Sequence, residues 1–405
     1  MVARGPISRR RALVRLHRSV ALTLGLFLVV FTTSGTLLLF RPDAQRAMNP
    51  RAFQSTRLST DHPVSIAEAL HTVQRTQPTF PAGRVWSDGQ VYRVYNTAQT
   101  HWWSVDPGSG RVLGHDGTPL DGFWALLKNL HTCMLTCTQY PGYLSPLTAT
   151  VPGLGVLVST MVYGLLVLTV LALALSGLRL ASAALRSGLR VRWSRAGRFA
   201  RHSDLHRVVG VVAAPFLAVW AITGAGFQVP VIDQIWCALT PGAHAAAPAA
   251  TPAPAGHGPD IGVDAALRGA STLVGPDHPP IFALLPSGGA MLYHFRFEAA
   301  PLTYGDTTDG IRVEVDRYRG TARFEDNPPG RPAATVLWEN WRYPVHSGIV
   351  AHGWWRLPWL AVGFAPLTLA VTCGAAWLFR RRLARERAAR RRTRTATQTP
   401  VHQRR

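Results

Sequence analysis

Fifteen histidines are spread over 405 residues, and four of them stand in matched positions. His17 (Leu16-His17-Arg18) and His206 (Leu205-His206-Arg207) each open an uncharged run, and a glycine follows each by 18 residues, Gly35 after Thr33-Ser34 and Gly224 after Thr223. His131 (Leu130-His131-Thr132) and His346 (Val345-His346-Ser347) each precede the next uncharged run. A single histidine at the edge of a membrane span has an ordinary role, an imidazole reaching for the interface. Matched pairs have another, because two packed helices bring two imidazoles face to face. Zinc prefers four ligands, and no cysteine or carboxylate pattern completes such a set; copper usually takes a soft partner. A haem iron takes two axial ligands on opposite sides of a flat apolar plate, which two facing helices supply. Gly25, Gly35, Gly210 and Gly224 would let a macrocycle pack close, and Arg18 and Arg207 could meet its propionates, although membrane-flanking charge is their simpler role. His202 and His352 are second-choice ligands.

The elements that position these histidines are four uncharged stretches. Val20–Phe40, Gln139–Leu178, Val208–Ile232 and Leu357–Phe379 each reach the roughly 20 residues a membrane-spanning helix needs. The second has a surplus containing Pro141, Gly142, Pro146 and Pro152, which places its span at 153–178 after a broken approach. Arginine decides the orientation. Residues 1–18 carry six Arg, 179–207 eight and 380–405 eleven, opposed only by Asp204 and Glu386. The positive-inside rule puts all three clusters in the cytoplasm. The predicted order is a cytoplasmic N-terminus (1–19), a first span (20–40), an external module (41–150), a second span (153–178), a basic cytoplasmic loop (179–207), a third span (208–232), a second external module (233–356), a fourth span (357–379) and a basic cytoplasmic tail (380–405). The apolar stretch after Ser8-Arg9-Arg10-Arg11 is too long for a twin-arginine signal and lacks a small-x-small cleavage site, so it reads as an uncleaved anchor. Two haems, one per leaflet, would form an electron path across a core of roughly 30 Å.

The external regions repeat each other as well. Ile66-Ala67-Glu68-Ala69-Leu70 matches Val263-Asp264-Ala265-Ala266-Leu267, each the start of an amphipathic helix. Val105-Asp106-Pro107-Gly108-Ser109-Gly110 matches Val315-Asp316-Arg317-Tyr318-Arg319-Gly320, a strand-turn signal with glycine at the tight position. The fold class is therefore an α-helical integral membrane protein, a four-helix transmembrane bundle of two pseudo-repeats with two extracytoplasmic α+β modules. An Ala/Pro/Gly-rich linker interrupts the second module at 241–260.

Other features narrow the classes. The formal charge of +22 falls almost wholly in the three arginine clusters, each against an apolar run, which argues for a membrane surface and against a nucleic-acid partner. Four cysteines exclude a disulfide scaffold. Cys133 and Cys137 need a turn between them to pair; two free thiols, or a partner such as Cys237, are the alternatives, and Cys373 reads as a packing residue. Trp338, Trp341, Trp354, Trp355 and Trp359 read as interfacial anchors, and Trp102-Trp103 as core or ligand surface. No P-loop, GxSxG, HExxH or dinucleotide fingerprint is present, which argues against a nicotinamide site.

The recurring Leu-His-Arg before a span, Thr-Gly within it, Val-Asp-x-x-x-Gly in the module and a histidine before the next span resemble the PepSY-associated transmembrane family, also called iron-regulated membrane proteins. Its most specific pieces here are Leu205-His206-Arg207-Val208-Val209-Gly210 with Thr223-Gly224, and Val345-His346-Ser347-Gly348. The resemblance implies PepSY-like modules, one or two haem b groups with His17, His206, His131 and His346 as axial ligands, and reduction of a ferric siderophore or other ferric chelate outside the inner membrane by an unknown electron donor. That would make the chain a membrane oxidoreductase of iron uptake. The alternative the family allows is a regulatory membrane protein that engages a peptidase or envelope partner without redox chemistry. Cys133, Cys137 and the 241–260 linker depart from the family pattern.

Overall fold

The computed structural model describes residues 6–56, 64–187, 189–193, 198–240, 258–298, 310–325, 333–348 and 356–397. Helix α1 (Pro6–Leu38) leads to α2 (Arg41–Met48) and α3 (Ile66–Thr76), then to strands β1 (Ala82–Ser87), β2 (Tyr92–Asn96), β3 (Trp102–Val105) and β4 (Val112–His115). Next come α4 (Asp121–Cys133), α5 (Val158–Ser187), α6 (Arg198–Gln228), α7 (Pro230–Leu239) and α8 (Gly262–Val274). The second set of strands, β5 (Pro280–Leu284), β6 (Leu292–Phe297), β7 (Ile311–Asp316) and β8 (Ala322–Phe324), precedes α9 (Ala333–Ser347), α10 (Arg356–Gly363) and α11 (Ala365–Thr397). The chain divides into two compact units, one of Met1–Thr36, Gly164–Ala221 and Leu357–Arg405, the other of Leu37–Tyr163 and Ile222–Arg356.

Among the described residues, four helices are long and apolar enough to cross a membrane: Arg9–Leu38, Val158–Ser182, Ala200–Gln228 and Arg356–Glu386. Hydrocarbon cannot solvate a backbone, so a span must satisfy its own amides, and helix does so. Threonine hydroxyls inside the spans do the same by bonding back one turn, Thr32 to the Leu28 carbonyl (2.8 Å) and Thr372 to that of Thr368 (2.8 Å). The fourth span is broken at Phe364, where Pro366 starts the second segment with no amide hydrogen to give. The second starts at Val158, later than the proline pattern implies. Residues before it form a 3₁₀ turn (Ser145–Thr148) and a bridge between Thr150 and Leu157, closed by Gly153 and Gly155 at φ of 79° and 65°. Helix α11 runs on through the arginine tail to Thr397, because Ala, Arg and Glu are strong helix formers.

Among its described residues, the other unit contains one antiparallel sheet of eight strands in the order β4-β3-β2-β1-β5-β6-β7-β8. The two α+β stretches read from the sequence thus join through β1 and β5, with Val85 opposite Ala283 and Trp86 opposite Phe282. Pairing removes two exposed strand edges that separate modules would have left. Ser65 caps α3 by accepting from the Glu68 amide (3.0 Å), and α3 then buries Ile66, Ala69, Leu70 and Val73 at helical spacing. Helix α8 buries Val263, Ala266, Leu267, Ala270 and Val274. Both helices cover the same sheet face, over the fully buried Val85, Val94, Val313 and Val315. The two Val-Asp turns are built alike. Asp106 accepts from the Gly108 and Ser109 amides and Asp316 from those of Tyr318 and Arg319, while Gly110 and Gly320 both sit at φ 69°. His352, Trp354, Trp355 and residues 241–257 of the linker lie outside the described residues.

Candidate functional site

In the first unit, α1 and α6 bring His17 and His206 together, with ring centroids 6.5 Å apart and planes at 89°. Each imidazole is fixed from behind. His17 Nδ1 lies 2.7 Å from the Ser176 hydroxyl, which itself donates to the Ala172 carbonyl and therefore accepts from the ring. His206 Nδ1 lies 3.2 Å from the Leu369 carbonyl, an acceptor only, and 3.2 Å from the Thr372 hydroxyl. Both rings therefore carry their proton on Nδ1 and keep the Nε2 lone pair for a ligand, the tautomer that metal-bound histidine uses. A Cβ at Gly177 would stand 3.5 Å from His17 Cε1, an ordinary contact. Of the glycines singled out in the sequence, Gly25 has open space and Gly210 only an ordinary contact with Leu369. Arg207 is engaged by Asp204 at 3.6 Å, and Asp204 also receives Arg192 at 2.7 Å. His202 stacks on Phe379 at 5.8 Å.

In the second unit, α4 and α9 bring His131 and His346 to 6.1 Å between centroids, with planes at 33°. His346 Nδ1 lies 3.0 Å from the Thr223 hydroxyl, Phe227 meets its ring edge-on at 5.6 Å, and a Cβ on Gly224 would stand 3.0 Å from its Cε1. The end of α4 is tied down at its carbonyls. Tyr163 donates to the His131 carbonyl (2.6 Å) and Gln228 to that of Thr132 (2.9 Å), two acceptors a helix terminus leaves open. Cys133 and Cys137 form a disulfide. Met134 and Leu135, at φ of 49° and 60°, supply the turn that continued helix would have denied it. Buried Asn129 clamps the same loop, donating to the Pro141 carbonyl (2.9 Å) and accepting from the Cys137 amide (3.1 Å).

A metal held between two imidazole nitrogens at bonds of about 2 Å each leaves the ring centroids about 6 Å apart. Both histidine pairs have that separation. The sequence singled out all four histidines but not Ser176, Gly177 or Thr372; a Ser-Gly pair inside an apolar helix is the one local signal for the first two.

The second unit also holds a cavity of about 1030 Å³ between the sheet face opposite α3 and α8 and helices α2 and α4. Trp102 lines it, whereas Trp103 packs against the core and the His115 ring (4.7 Å). Cationic Arg41, Arg84, Arg93 and Lys128 also line it. No sequence pattern marked these residues, which come from four different elements.

Among the described residues, one group of three possible metal ligands lies close together: His294, Glu314 and Glu325, on the sheet. Arg323 occupies Glu314 at 2.6 Å. Hydrogen bonding to Glu325 raises the His294 pKa above its ordinary value, and His294 in turn lowers that of Glu325. This is an ion-pair network on a partly exposed strand face.

One histidine pair lies on α1 and α6, and the other on α4 and α9, the helices that follow the two sets of four strands. No curated protein matches the chain. The PepSY-associated TM region matches residues 14–380, and the chain belongs to that family.

Proposed function

We propose that this membrane protein carries haem b on the two histidine pairs and passes electrons to a ferric siderophore or other ferric chelate outside the inner membrane. The observation that carries the proposal is the approach of two imidazoles to 6.5 Å and again to 6.1 Å between centroids, each pair from helices far apart in sequence. His17 with His206, and His131 with His346, would be the axial ligands. Haem so held supplies one-electron redox chemistry with little geometric change. The chain's own residues do the positioning: Ser176, the Leu369 carbonyl and Thr223 orient rings through Nδ1, and Gly224 admits the His346 ring. Fe(III) takes up one electron to become Fe(II), which hard oxygen ligands bind far less tightly, so the chelate lets go of its iron.

The two halves are read as pseudo-repeats, each of a span, a helix with four strands, a histidine-bearing helix and a second span. Both termini are placed in the cytoplasm on the arginine asymmetry. An absorbance spectrum of the purified protein tests the reading. Low-spin haem bands should appear, dithionite should reduce them, and a ferric siderophore should reoxidise them while an Fe(II) trap captures the product. A protein that purifies without haem, even with haem supplied during expression, removes the redox reading. Haem that no ferric chelate reoxidises removes the substrate.

A further inference from the structure

The cavity under the sheet has a ligand chemistry of its own. At about 1030 Å³ it stands at the upper end of the range small-molecule sites occupy, and it is far too large for a single inorganic ion. Among the described residues, its wall carries Arg41, Arg84, Arg93 and Lys128 against two carboxylates. The two carboxylates on its wall, Asp116 and Asp121, already serve other groups. Asp121 accepts from the amides of Gly117 (2.9 Å) and Thr118 (2.7 Å), and Asp116 accepts from the Trp102 amide (3.2 Å) beside His101. Arg93 is met by the buried Asp88 behind it at 2.6 Å.

The other three cations line the same cavity. Lys128 donates to the Tyr140 oxygen (2.7 Å), and the charges of Arg41 and Arg84 both act on that phenol. Burial nevertheless raises the Tyr140 pKa above its ordinary value, so its hydroxyl stays neutral. Arg84 is braced by the aromatic faces of Phe282 (4.9 Å) and Trp86 (5.0 Å) and donates to the Gln99 side chain. The Arg41 Nε is buried without a hydrogen-bond acceptor. A buried guanidinium nitrogen with nothing to donate to is costly, and a ligand oxygen would satisfy it. Tyr95, Trp102, Tyr140 and Tyr343 add flat apolar faces to the same wall.

From this lining and the unsatisfied Arg41 Nε we infer that the cavity binds a bulky polyanion with planar aromatic groups, of the catecholate class of iron chelates, through Arg41, Arg84 and Lys128. Catecholate oxygens offer acceptors to the guanidinium and ammonium groups, and their rings match the aromatic wall. Lys128 precedes His131 by one turn on α4, and Tyr343 precedes His346 by one turn on α9, so the cavity wall and the histidine pair share two helices. That the ligand is the chelate to be reduced rests on the function proposed above; its charge and shape rest on the cavity alone.

Redox-inert gallium(III) complexes separate the two. Gallium(III) tricatecholate, a trianion, titrated by calorimetry into the full-length protein in detergent, should bind at least about tenfold more tightly than a neutral gallium(III) trihydroxamate of similar size. Its affinity should fall as salt is raised. Arg41→Gln and Lys128→Met should each weaken binding about tenfold or more, the usual loss of a hydrogen bond to a charged group. Circular dichroism checks that each variant is folded, and the two variants alter different helices. Equal affinity for charged and neutral complexes, or unchanged tricatecholate affinity in both variants, overturns the inference. Displacement of the tricatecholate by an equal concentration of inorganic phosphate also overturns it, because the site would then be one for phosphate or a lipid headgroup. The readout needs no haem, so failure of the haem reading and failure of this one are distinguishable.

Discussion

Gly224 makes the place that His346 occupies: a methyl group at position 224 would stand 3.0 Å from the imidazole Cε1, with the Thr223 hydroxyl 3.0 Å from Nδ1 on the same ring. Phe227 closes the ring's edge, so the imidazole has little freedom to step aside. Alanine gains about 1 kcal/mol over glycine in a helix interior. Gly224→Ala should therefore leave thermal stability within about 1 kcal/mol of the parent while altering the spectrum of the haem proposed at this pair. Gly177→Ala is the control, since 3.5 Å from His17 is an ordinary contact. An unaltered spectrum in Gly224→Ala would mean that the close approach has no bearing on the site.

The His17–His206 pair predicts a shared loss. His17→Ala and His206→Ala should each remove one and the same haem from the spectrum, because one remaining imidazole cannot hold a six-coordinate iron. His202→Ala should retain full haem content, since that ring stacks on Phe379. Haem quantified per polypeptide in the three variants checks it, and full low-spin content in both ligand variants refutes the pair.

The disulfide predicts a local effect. Cys133 and Cys137 are four residues apart, and closing so short a loop is worth about 2 kcal/mol in the chain-entropy account. Cys133→Ser should lower stability by about that amount and loosen the loop that Asn129 clamps. Denaturant titration with and without a reductant measures it: the parent should respond to the reductant and the variant should not.

The His294–Glu325 contact predicts a pH dependence with a definite sign. The folded His294 pKa is raised above 6.5, so its contribution is complete below that value and is lost as pH rises through the higher folded pKa. The Glu325 pKa is lowered, so its contribution is present above about its ordinary value and lost as pH falls through the lowered one. Both operate in the window between the two folded values. Thermal unfolding followed upward from the ordinary histidine pKa should show the parent losing stability relative to His294→Gln. Parallel curves would exclude the coupling.

Topology rests on charge asymmetry and is open to direct measurement. Reporter fusions at Leu189 and at the C-terminus should read cytoplasmic, and fusions at Gly108 and Gly288 should read external. An external C-terminus would reverse the proposed direction of electron flow.

Four spans, two amphipathic helix starts and two Val-Asp turns were legible in the sequence, because each depends on neighbours within one turn or one hairpin. The four histidines were legible for another reason: the chain presents the pattern twice, and repetition exposes positions that composition hides. What the tertiary structure alone decided was how distant segments meet. The β1–β5 pairing joins strands nearly 200 residues apart and turns two expected modules into one sheet, a choice set by which edge finds a partner. Ser176 and the Leu369 carbonyl orient imidazoles on other helices. The cavity draws Arg41, Arg84, Lys128 and Tyr140 from a helix, a strand, a second helix and a loop. No local period encodes such a convergence, because side chains from separate elements meet only after packing has fixed where each backbone lies.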